Sequence, residues 1–305
     1  MKQQKEDLAL SETYLDYLRY ERNASPRTVE EYRDDLMAFE LFFKGLDNSL
    51  TWQTVDADVI REWVLSMMER GNKATTVQRR LSALRSCYKH LLQRGLVEQD
   101  PAHNVTAPKK ERVLPAFVRE DEMDRLLDTE GMFKDSFEGR RNHLIVAMLY
   151  ETGLRLGELV NLDIRDVNVS VRTVKVTGKG NKQRIVPFGD ELLHLIYIYM
   201  EERAALAADI NRDEQAFFLS RKGMRIGAAA VRVMIKEKLG LVTTQRKRSP
   251  HVLRHTFATS MLNHGANLES VKELLGHEKL STTEIYTHTT FEELKKVYSE
   301  AHPRA

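Results

Sequence analysis

Apolar side chains recur at helical spacing through the first hundred residues. In the clearest stretch, from Thr75 to Gln93, they follow one another at spacings of four and three and form one stripe: Val77, Leu81, Leu84, Tyr88 and Leu91. Earlier in the chain, Ser25 before Pro26 is typical of an N-cap followed by a first-turn proline, and so predicts a helix start. The pattern predicts a helical N-terminal domain over residues 1–100.

A stretch without helical or strand periodicity follows. It reads PAHNVTAPKKERVLPAFV, with three prolines and two adjacent lysines. Prolines and charges without an apolar period are typical of a connection between domains. We therefore expect a linker over residues 101–118 and a second domain over residues 119–305.

The second domain mixes helical and strand patterns. Val174 and Val176 alternate with polar residues, GKGN supplies turn residues, and Ile185 to Pro187 leads away, which predicts a β-hairpin. Cap and breaker residues mark further helix ends at Gly153, Ser249, Asn267, Gly276 and Ser281. The expected fold is mainly α, with a small β-sheet in the second domain.

Size and composition favour a folded protein. The 305 residues are 42% hydrophobic and 30% charged, which suits two globular domains. After Met1 no apolar stretch has the length of a signal peptide or a membrane span, so we expect a cytoplasmic protein that does not bind membranes. Cys87 is the single cysteine, which fits a reducing compartment.

Positive charge is concentrated in two zones. Residues 61–112 hold 11 Lys or Arg against 5 Asp or Glu, and residues 221–257 hold 10 against Glu237 alone. One basic zone in each domain predicts a polyanion such as DNA, although two solvated basic faces would show the same counts. The candidate DNA-binding residues are Lys73, Arg79, Arg80, Lys89, Lys109, Lys110, Arg246, Lys247 and Arg248.

The sequence lacks the residues that three kinds of site require. GKGNK at 178–182 does not have the spacing of a phosphate-binding P-loop. His251 and His255 have the spacing of a helical zinc site, but the residues between them lack the glutamate of an HExxH metalloprotease. Carboxylates do not cluster in the basic zones, where a two-metal nuclease would need them. We therefore expect neither a metal nor another cofactor.

Arg155 is the first candidate for binding a phosphate. It follows a Thr-Gly turn and stands between Leu154 and Leu156, so we expect it to be buried and to need an anionic partner. In the alternative interpretation, Glu158 is that partner and the pair is an ordinary salt bridge within a helix.

Arg254 is the second candidate. In HVLRH at 251–255, His251 and Arg254 project from one face at the start of a helix, where phosphate binds favourably. Together with Arg155, this guanidinium could hold the oxygens of one phosphate and stabilise a pentacoordinate transition state without a metal. The HxxR spacing alone is also found on ordinary helix surfaces.

The sequence LLGHEKLSTTEIYTH, at 274–288, supplies further candidates. His277 follows a glycine C-cap and Tyr286 lies in the next predicted helix. A tyrosine has a reference pKa of about 10, so it acts as a nucleophile only where nearby cations favour the phenolate. A half-buried packing tyrosine is the alternative.

Taken together, the motifs resemble those of the tyrosine recombinase family. TGLRxxEL, GKGNKxR, HxLRHTFAT, LLGH and STTxIYTH occur in the family's order, and NASPRTVEEYRDDL is similar to its core-binding domain. The chain looks especially like the bacterial Xer recombinases, including its EAHPRA ending. The resemblance implies a two-domain clamp, in which a helical core-binding domain precedes a mixed α/β catalytic domain.

The resemblance also implies roles for single residues. Tyr286 would be the nucleophile that forms a 3′-phosphotyrosine, and Arg155 with Arg254 would hold the phosphate. His251 and His277 would be hydrogen-bonding or acid–base groups. Lys179 would be the general acid for the leaving 5′ oxygen, although Lys182 and Arg184 stand close by.

Partners are implied in the same way. The enzyme would act on a specific site in double-stranded DNA, as a homotetramer or as a heterotetramer with a second recombinase. Activation by a DNA translocase is implied by the resemblance to the Xer recombinases alone. Its C-terminal exchange tail, from about residue 291, would dock into a neighbouring protomer. The expected role is the resolution of chromosome dimers during chromosome partition in the cell cycle.

Three alternatives stay open at this stage. The chain could be an integrase or resolvase of a mobile element, or a nicking–closing enzyme like the type IB topoisomerases. It could also be an architectural DNA-binding protein in which the site has lost its activity. That last class would bind DNA without forming a covalent adduct.

Overall fold

Two compact units make up the chain, residues Met1–Val113 and Leu114–Ala305. The computed structural model describes residues 10–110, 116–178, 182–209, 215–276 and 291–305. Each unit has its own hydrophobic core and is described by itself.

Helices form the first unit. Residues 10–16 are helical and lead into a π-helical turn at Tyr17–Glu21, and three longer helices follow: α1 (Pro26–Leu46), α2 (Ala57–Glu69) and α3 (Ala74–Gln93). Ser25 caps α1 by accepting a hydrogen bond from the backbone N–H of Thr28 at 3.2 Å, and Pro26 occupies the first turn. The predicted start of this helix is confirmed.

The core of the first unit contains the predicted stripe of α3, whose five members are all buried. They pack with Trp52, Phe39 and Phe43, and Cys87 is buried beside them. Ala102 and Val105 belong to the same core. The beginning of the expected linker is therefore packed on the first unit.

Eight helices and three strands are described in the second unit. The helices are α4 (Glu120–Asp128), α5 (Phe137–Thr152), α6 (Leu156–Val160), α7 (Asp190–Asp209), α8 (Ala228–Val242), α9 (Pro250–Asn263), α10 (Leu268–Leu275) and α11 (Phe291–Ala301). The strands are β1 (Val167–Asn168), β2 (Thr173–Thr177) and β3 (Gln183–Pro187), preceded by a 3-10 turn at Ile164–Asp166.

The sheet is antiparallel, in the order β1-β2-β3. Val174 pairs with Val186 and Val176 with Arg184, so the valines point into the core while Arg184 lies at the turn end of β3. The predicted hairpin and the small sheet are confirmed.

Helix α5 lies at the centre of the second unit, since its residues 144–149 are all buried. It packs against α7 and α9. Gly153 ends α5 in the left-handed region (φ +60°), and a Cβ there would lie 2.5 Å from Cδ1 of Phe257. Glycine is required at this position because both the backbone and the contact exclude a side chain. The chain then turns directly into α6.

Helix α11 packs on its own unit. Leu294, Tyr298 and Ala301 share a core with residues of α9 and α10. Beyond α11, Arg304 forms ion pairs with carboxylates of α4 and α7, of which the pair with Asp128 measures 2.6 Å. The segment 291–305 thus packs within its own chain, and docking into a neighbouring protomer stays a prediction.

No helix within the described ranges is long and apolar enough to cross a membrane. In the same ranges, no group of three or more His, Cys, Asp or Glu side chains is placed to hold a metal ion.

Candidate phosphate-binding site

Arg155 lies at the junction between α5 and α6, where it is the N-cap residue of α6. Its Nη1 donates to Oε1 of Glu158 at 2.8 Å, and its backbone N–H donates to Oε2 at 2.7 Å. The salt bridge that the sequence offered as an alternative is therefore present. The expected burial of Arg155 is wrong, since its side chain is 44% exposed, because a cap position projects the side chain past the helix end. Glu158 is the buried member of the pair.

Arg254 is the buried arginine of the site. It projects from α9 with 6% exposure, and its two terminal nitrogens donate to Gly153 O at 2.5 Å and Leu275 O at 2.6 Å. Burial, followed by the nearby Arg155 guanidinium, lowers the pKa of Arg254 to about 10, so it stays charged at neutral pH. Among the described residues no carboxylate forms an ion pair with it.

The two guanidiniums meet at the C-terminal end of α10. Arg254 binds Leu275 O, and Nη2 of Arg155 donates to the next carbonyl, Gly276 O, at 3.0 Å. Carbonyls in the last turn of a helix have no partner within the helix and carry negative partial charge, so they attract cations. Arginines 99 positions apart in the sequence are thereby brought together, where either could donate to a phosphate oxygen.

His251 is exposed in the first turn of α9, one turn before Arg254. It lines a recess with Lys247, Arg248 and His255. Two of the predicted DNA-binding residues therefore lie beside a predicted catalytic histidine, and Arg246 is exposed next to them. From the sequence alone, His255 was considered only as a zinc ligand together with His251. The four-residue spacing of the two histidines also indicated that both rings lie on one side of the helix.

Lys179, His277 and Tyr286 lie outside the described residues. Their roles stay as the sequence resemblance predicts them.

The predicted basic residues of the first unit differ in their surroundings. Lys73, Lys89, Lys109 and Lys110 are exposed. Arg79 is also exposed, and both its terminal nitrogens pair with Asp35, a buried carboxylate of α1. Arg80 lies 3.4 Å from the same carboxylate.

Arg184 is a member of the site whose contacts the sequence did not reveal. Its guanidinium binds Glu158 through two hydrogen bonds of 2.8 Å and Leu274 O through a third of 2.8 Å. Three successive carbonyls, at Leu274, Leu275 and Gly276, thus each receive a different arginine. The only indication of this role in the sequence is that Arg184 is a basic residue close to the hairpin lysine, Lys179.

Comparisons with known proteins agree over both units. Residues 116–293 match the phage integrase family, and residues 12–95 match the phage integrase N-terminal SAM-like domain. The tyrosine recombinase XerC of Pelotomaculum thermopropionicum is 38% identical over 301 residues, covering 96% of this chain and 98% of that protein. The tyrosine recombinase XerD of Oceanobacillus iheyensis is 35% identical over 294 residues, with 96% and 98% covered.

Solved structures show the same fold. The XerH site-specific recombinase bound to a palindromic difH substrate has a TM-score of 0.69 at 24% identity, covering 91% of this chain and 81% of that one. The Tn1549 transposon integrase in complex with transposon right end DNA has a TM-score of 0.72 at 18% identity, covering 94% and 97%.

Proposed function

This chain belongs to the phage integrase family and is a site-specific tyrosine recombinase, and we propose that Tyr286 is the nucleophile with which it breaks and rejoins DNA. The observation that carries the proposal is the convergence of Arg155 and Arg254 on the adjacent carbonyls of Leu275 and Gly276. The segment that contains His277 and Tyr286 begins directly after these carbonyls.

In the proposed cleavage step, the Tyr286 hydroxyl loses its proton to solvent, its phenolate oxygen attacks the scissile phosphorus, and the bond from phosphorus to the 5′ oxygen breaks. The products are a 3′-phosphotyrosine and a 5′ hydroxyl, whose proton we assign to Lys179. Arg155 and Arg254 donate to the nonbridging oxygens, where negative charge increases in the transition state. Attack by a 5′ hydroxyl on the phosphotyrosine reverses the chemistry and rejoins the strand without an external energy source.

We propose that His251 also contacts the phosphate. Its position one turn before Arg254, on an exposed helix start, suits a hydrogen bond to a phosphate oxygen. We assign the same kind of contact to His277.

Basic residues of both units extend the proposed DNA contact beyond the scissile phosphate. We propose that Lys73, Lys89, Lys109 and Lys110 of the first unit contact backbone phosphates. In the second unit we propose the same for Arg246, Lys247 and Arg248. Such contacts give affinity and salt dependence, whereas sequence preference comes from base edges and DNA shape.

We further propose that four protomers act on two duplexes at a specific site, either four copies of this chain or two paired with a second recombinase. The Xer proteins among its relatives favour chromosome dimer resolution in the cytoplasm over a mobile-element role. Dependence on a DNA translocase remains a prediction from the sequence resemblance.

A nicked suicide duplex tests the nucleophile, because the cleaved end diffuses away and traps the covalent intermediate. We expect the wild type to give a protein–DNA adduct on a denaturing gel and Tyr286→Phe to give none. Tyr197→Phe is the matched control, since Tyr197 is an exposed tyrosine of the same unit at 56% exposure. An adduct that survives in Tyr286→Phe would reject the assignment.

A topoisomerase-like activity is distinguished by its independence of site. Relaxation of supercoiled plasmids at equal rates with and without a recombination site would favour that class. A recombinase requires the site.

A further inference from the structure

We infer that Arg184 is a positioning residue of the cleavage reaction, which fixes Glu158, and through it Arg155, against the end of α10. The inference rests on the proposed function, in which Arg155 and Arg254 hold the scissile phosphate. Arg184 itself binds protein groups on each side of its guanidinium and acts on the phosphate through Arg155.

Arg184 is held by three hydrogen bonds to two elements. Nη1 and Nη2 donate to the two carboxylate oxygens of Glu158 in α6, and Nε donates to Leu274 O in α10, all at 2.8 Å. Its side chain is 13% exposed. A planar fork that satisfies a carboxylate and a carbonyl at once fixes both partners in orientation as well as in distance.

Gly276 provides the space that this arrangement needs. A Cβ at position 276 would lie 3.2 Å from Cδ and Nη1 of Arg184, and the backbone there has φ +65°. The glycine that ends α10 therefore also lets the guanidinium approach the helix end.

Glu158 connects Arg184 to Arg155. Each of its oxygens accepts one hydrogen bond from Arg184 and one from Arg155, the latter at 2.8 Å from Nη1 and 2.7 Å from the backbone N–H. Although burial raises the pKa of the Glu158 carboxyl, the hydrogen bonds from Arg184 and Arg155 lower it to about 2. The carboxylate therefore stays ionised at every pH at which the enzyme would be assayed.

Loss of the Arg184 guanidinium would leave this buried carboxylate with half of its donors. Its pKa would rise, and when it is protonated Arg155 would lose its charged partner. Leu274 O would also lose the hydrogen bond from Arg184, beside the carbonyls that bind Arg254 and Arg155. A displacement of about 1 Å in a reacting group lowers a rate roughly a hundredfold, whereas DNA affinity depends on many other contacts.

The test measures cleavage and binding separately, on one suicide duplex. For Arg184→Gln we expect a single-turnover cleavage rate about 10- to 100-fold below wild type, with the Kd for DNA within about threefold. Arg225→Gln is the matched control. Arg225 likewise donates to two carbonyls (Val160 O and Leu162 O, both 3.0 Å) and to the Asp163 carboxylate, but it forms no hydrogen bond or ion pair with Glu158 or Arg155, which are described residues as well. The Arg225→Gln variant should be less stable than the wild type but should cleave at the wild-type rate per folded molecule.

The pH dependence of the cleavage rate separates positioning from a general loss of structure. Among the described residues, Arg155 and Arg184 are the charged groups that bind Glu158, and Arg254 is close enough to interact with it through its charge. As the assay pH is lowered, Arg184→Gln should lose rate relative to the wild type, because its Glu158 begins to take up a proton at a higher pH than in the wild type. In the double variant Arg184→Gln, Glu158→Gln, this additional pH dependence should be absent. Its cleavage rate should equal the rate of Arg184→Gln at low pH.

Arg184→Lys provides a second reading if Arg184→Gln does not fold. A lysine keeps a positive charge near Glu158 but cannot form the three-way fork, so the loss of rate at low pH should disappear while a rate deficit remains. Wild-type cleavage in both Arg184 variants would overturn the inference, as would a Kd that rises as much as the rate falls. Absence of a Tyr286-dependent adduct in the wild type would instead reject the proposed function.

Discussion

His302 should make the second unit sensitive to mild acid. The ring is buried and stacks on Tyr298, with ring centroids 5.2 Å apart, and its Nδ1 accepts a hydrogen bond from the backbone N–H of Arg304 at 3.1 Å. Protonation at Nδ1 would place two donors face to face. Burial lowers the pKa of His302 to about 3.

The expected magnitude follows from linkage. The folded pKa lies below the unfolded value of about 6.5, so between these values the unfolded chain binds the proton and the folded chain does not. The stability contribution is therefore complete above pH 6.5, falls as the pH falls, and stops changing below about pH 3. At pH 5.5, one unit below the unfolded pKa, the loss relative to pH 7.5 is about 1.4 kcal/mol. The result would be the same for a folded pKa of about 4.

Urea unfolding at pH 7.5 and pH 5.5 measures this effect in wild type and in His302→Phe, which keeps the ring stack. Circular dichroism at 222 nm follows both units. Tryptophan fluorescence follows only the first, since both tryptophans, Trp52 and Trp63, lie there. On acidification, the free energy of unfolding of the second unit should fall by about 1.4 kcal/mol less in the variant than in the wild type. The fluorescence transition should be the same in the two proteins. Equal losses in the two proteins would refute the reasoning.

Three further predictions concern the site and the elements that hold it. Arg254→Ala should lower single-turnover cleavage by roughly 100- to 1000-fold while the Kd for DNA changes less than about fivefold; equal losses of both would contradict a role in the transition state. Gly153→Ala should destabilise the second unit by about 2 to 4 kcal/mol in urea unfolding, because the left-handed backbone and the Phe257 ring both oppose a Cβ; a neutral effect would contradict this packing. Arg304→Ala should lower the free energy of unfolding of the second unit by about 2 to 3 kcal/mol, a loss that is limited because the carboxylates around Arg304 are partly exposed. It should also speed hydrogen exchange in α11. Unchanged exchange would show that the apolar contacts alone hold α11 in place.

Local pattern was a sufficient guide where neighbours in sequence are also neighbours in space. The α3 stripe, the Ser25 cap and the β2-β3 hairpin depend on contacts over a few residues, and each was predicted from spacing or turn chemistry. Gly153 and Gly276 were identified as breakers, and both adopt positive φ.

Side-chain partners distant in sequence were not predictable in this way. Spacing did not reveal that Arg79 pairs with Asp35, 44 residues away on another helix, and its contact with DNA stays a prediction. Arg184 was noted only as a neighbour of the hairpin lysine, and its contact with Leu274, 90 residues away, depends on how β3 meets α10. The expected burial of Arg155 was wrong because the turn after Gly153 directs a cap residue outward while burying Glu158.

The most direct test of the central claim identifies the residue that carries the DNA. The covalent adduct formed on a suicide duplex is digested with nuclease and trypsin, and the peptide that retains a nucleotide is sequenced by mass spectrometry. The proposed mechanism predicts a nucleotide linked through its 3′ phosphate to Tyr286. A nucleotide on another residue, or one linked through its 5′ phosphate, would contradict it.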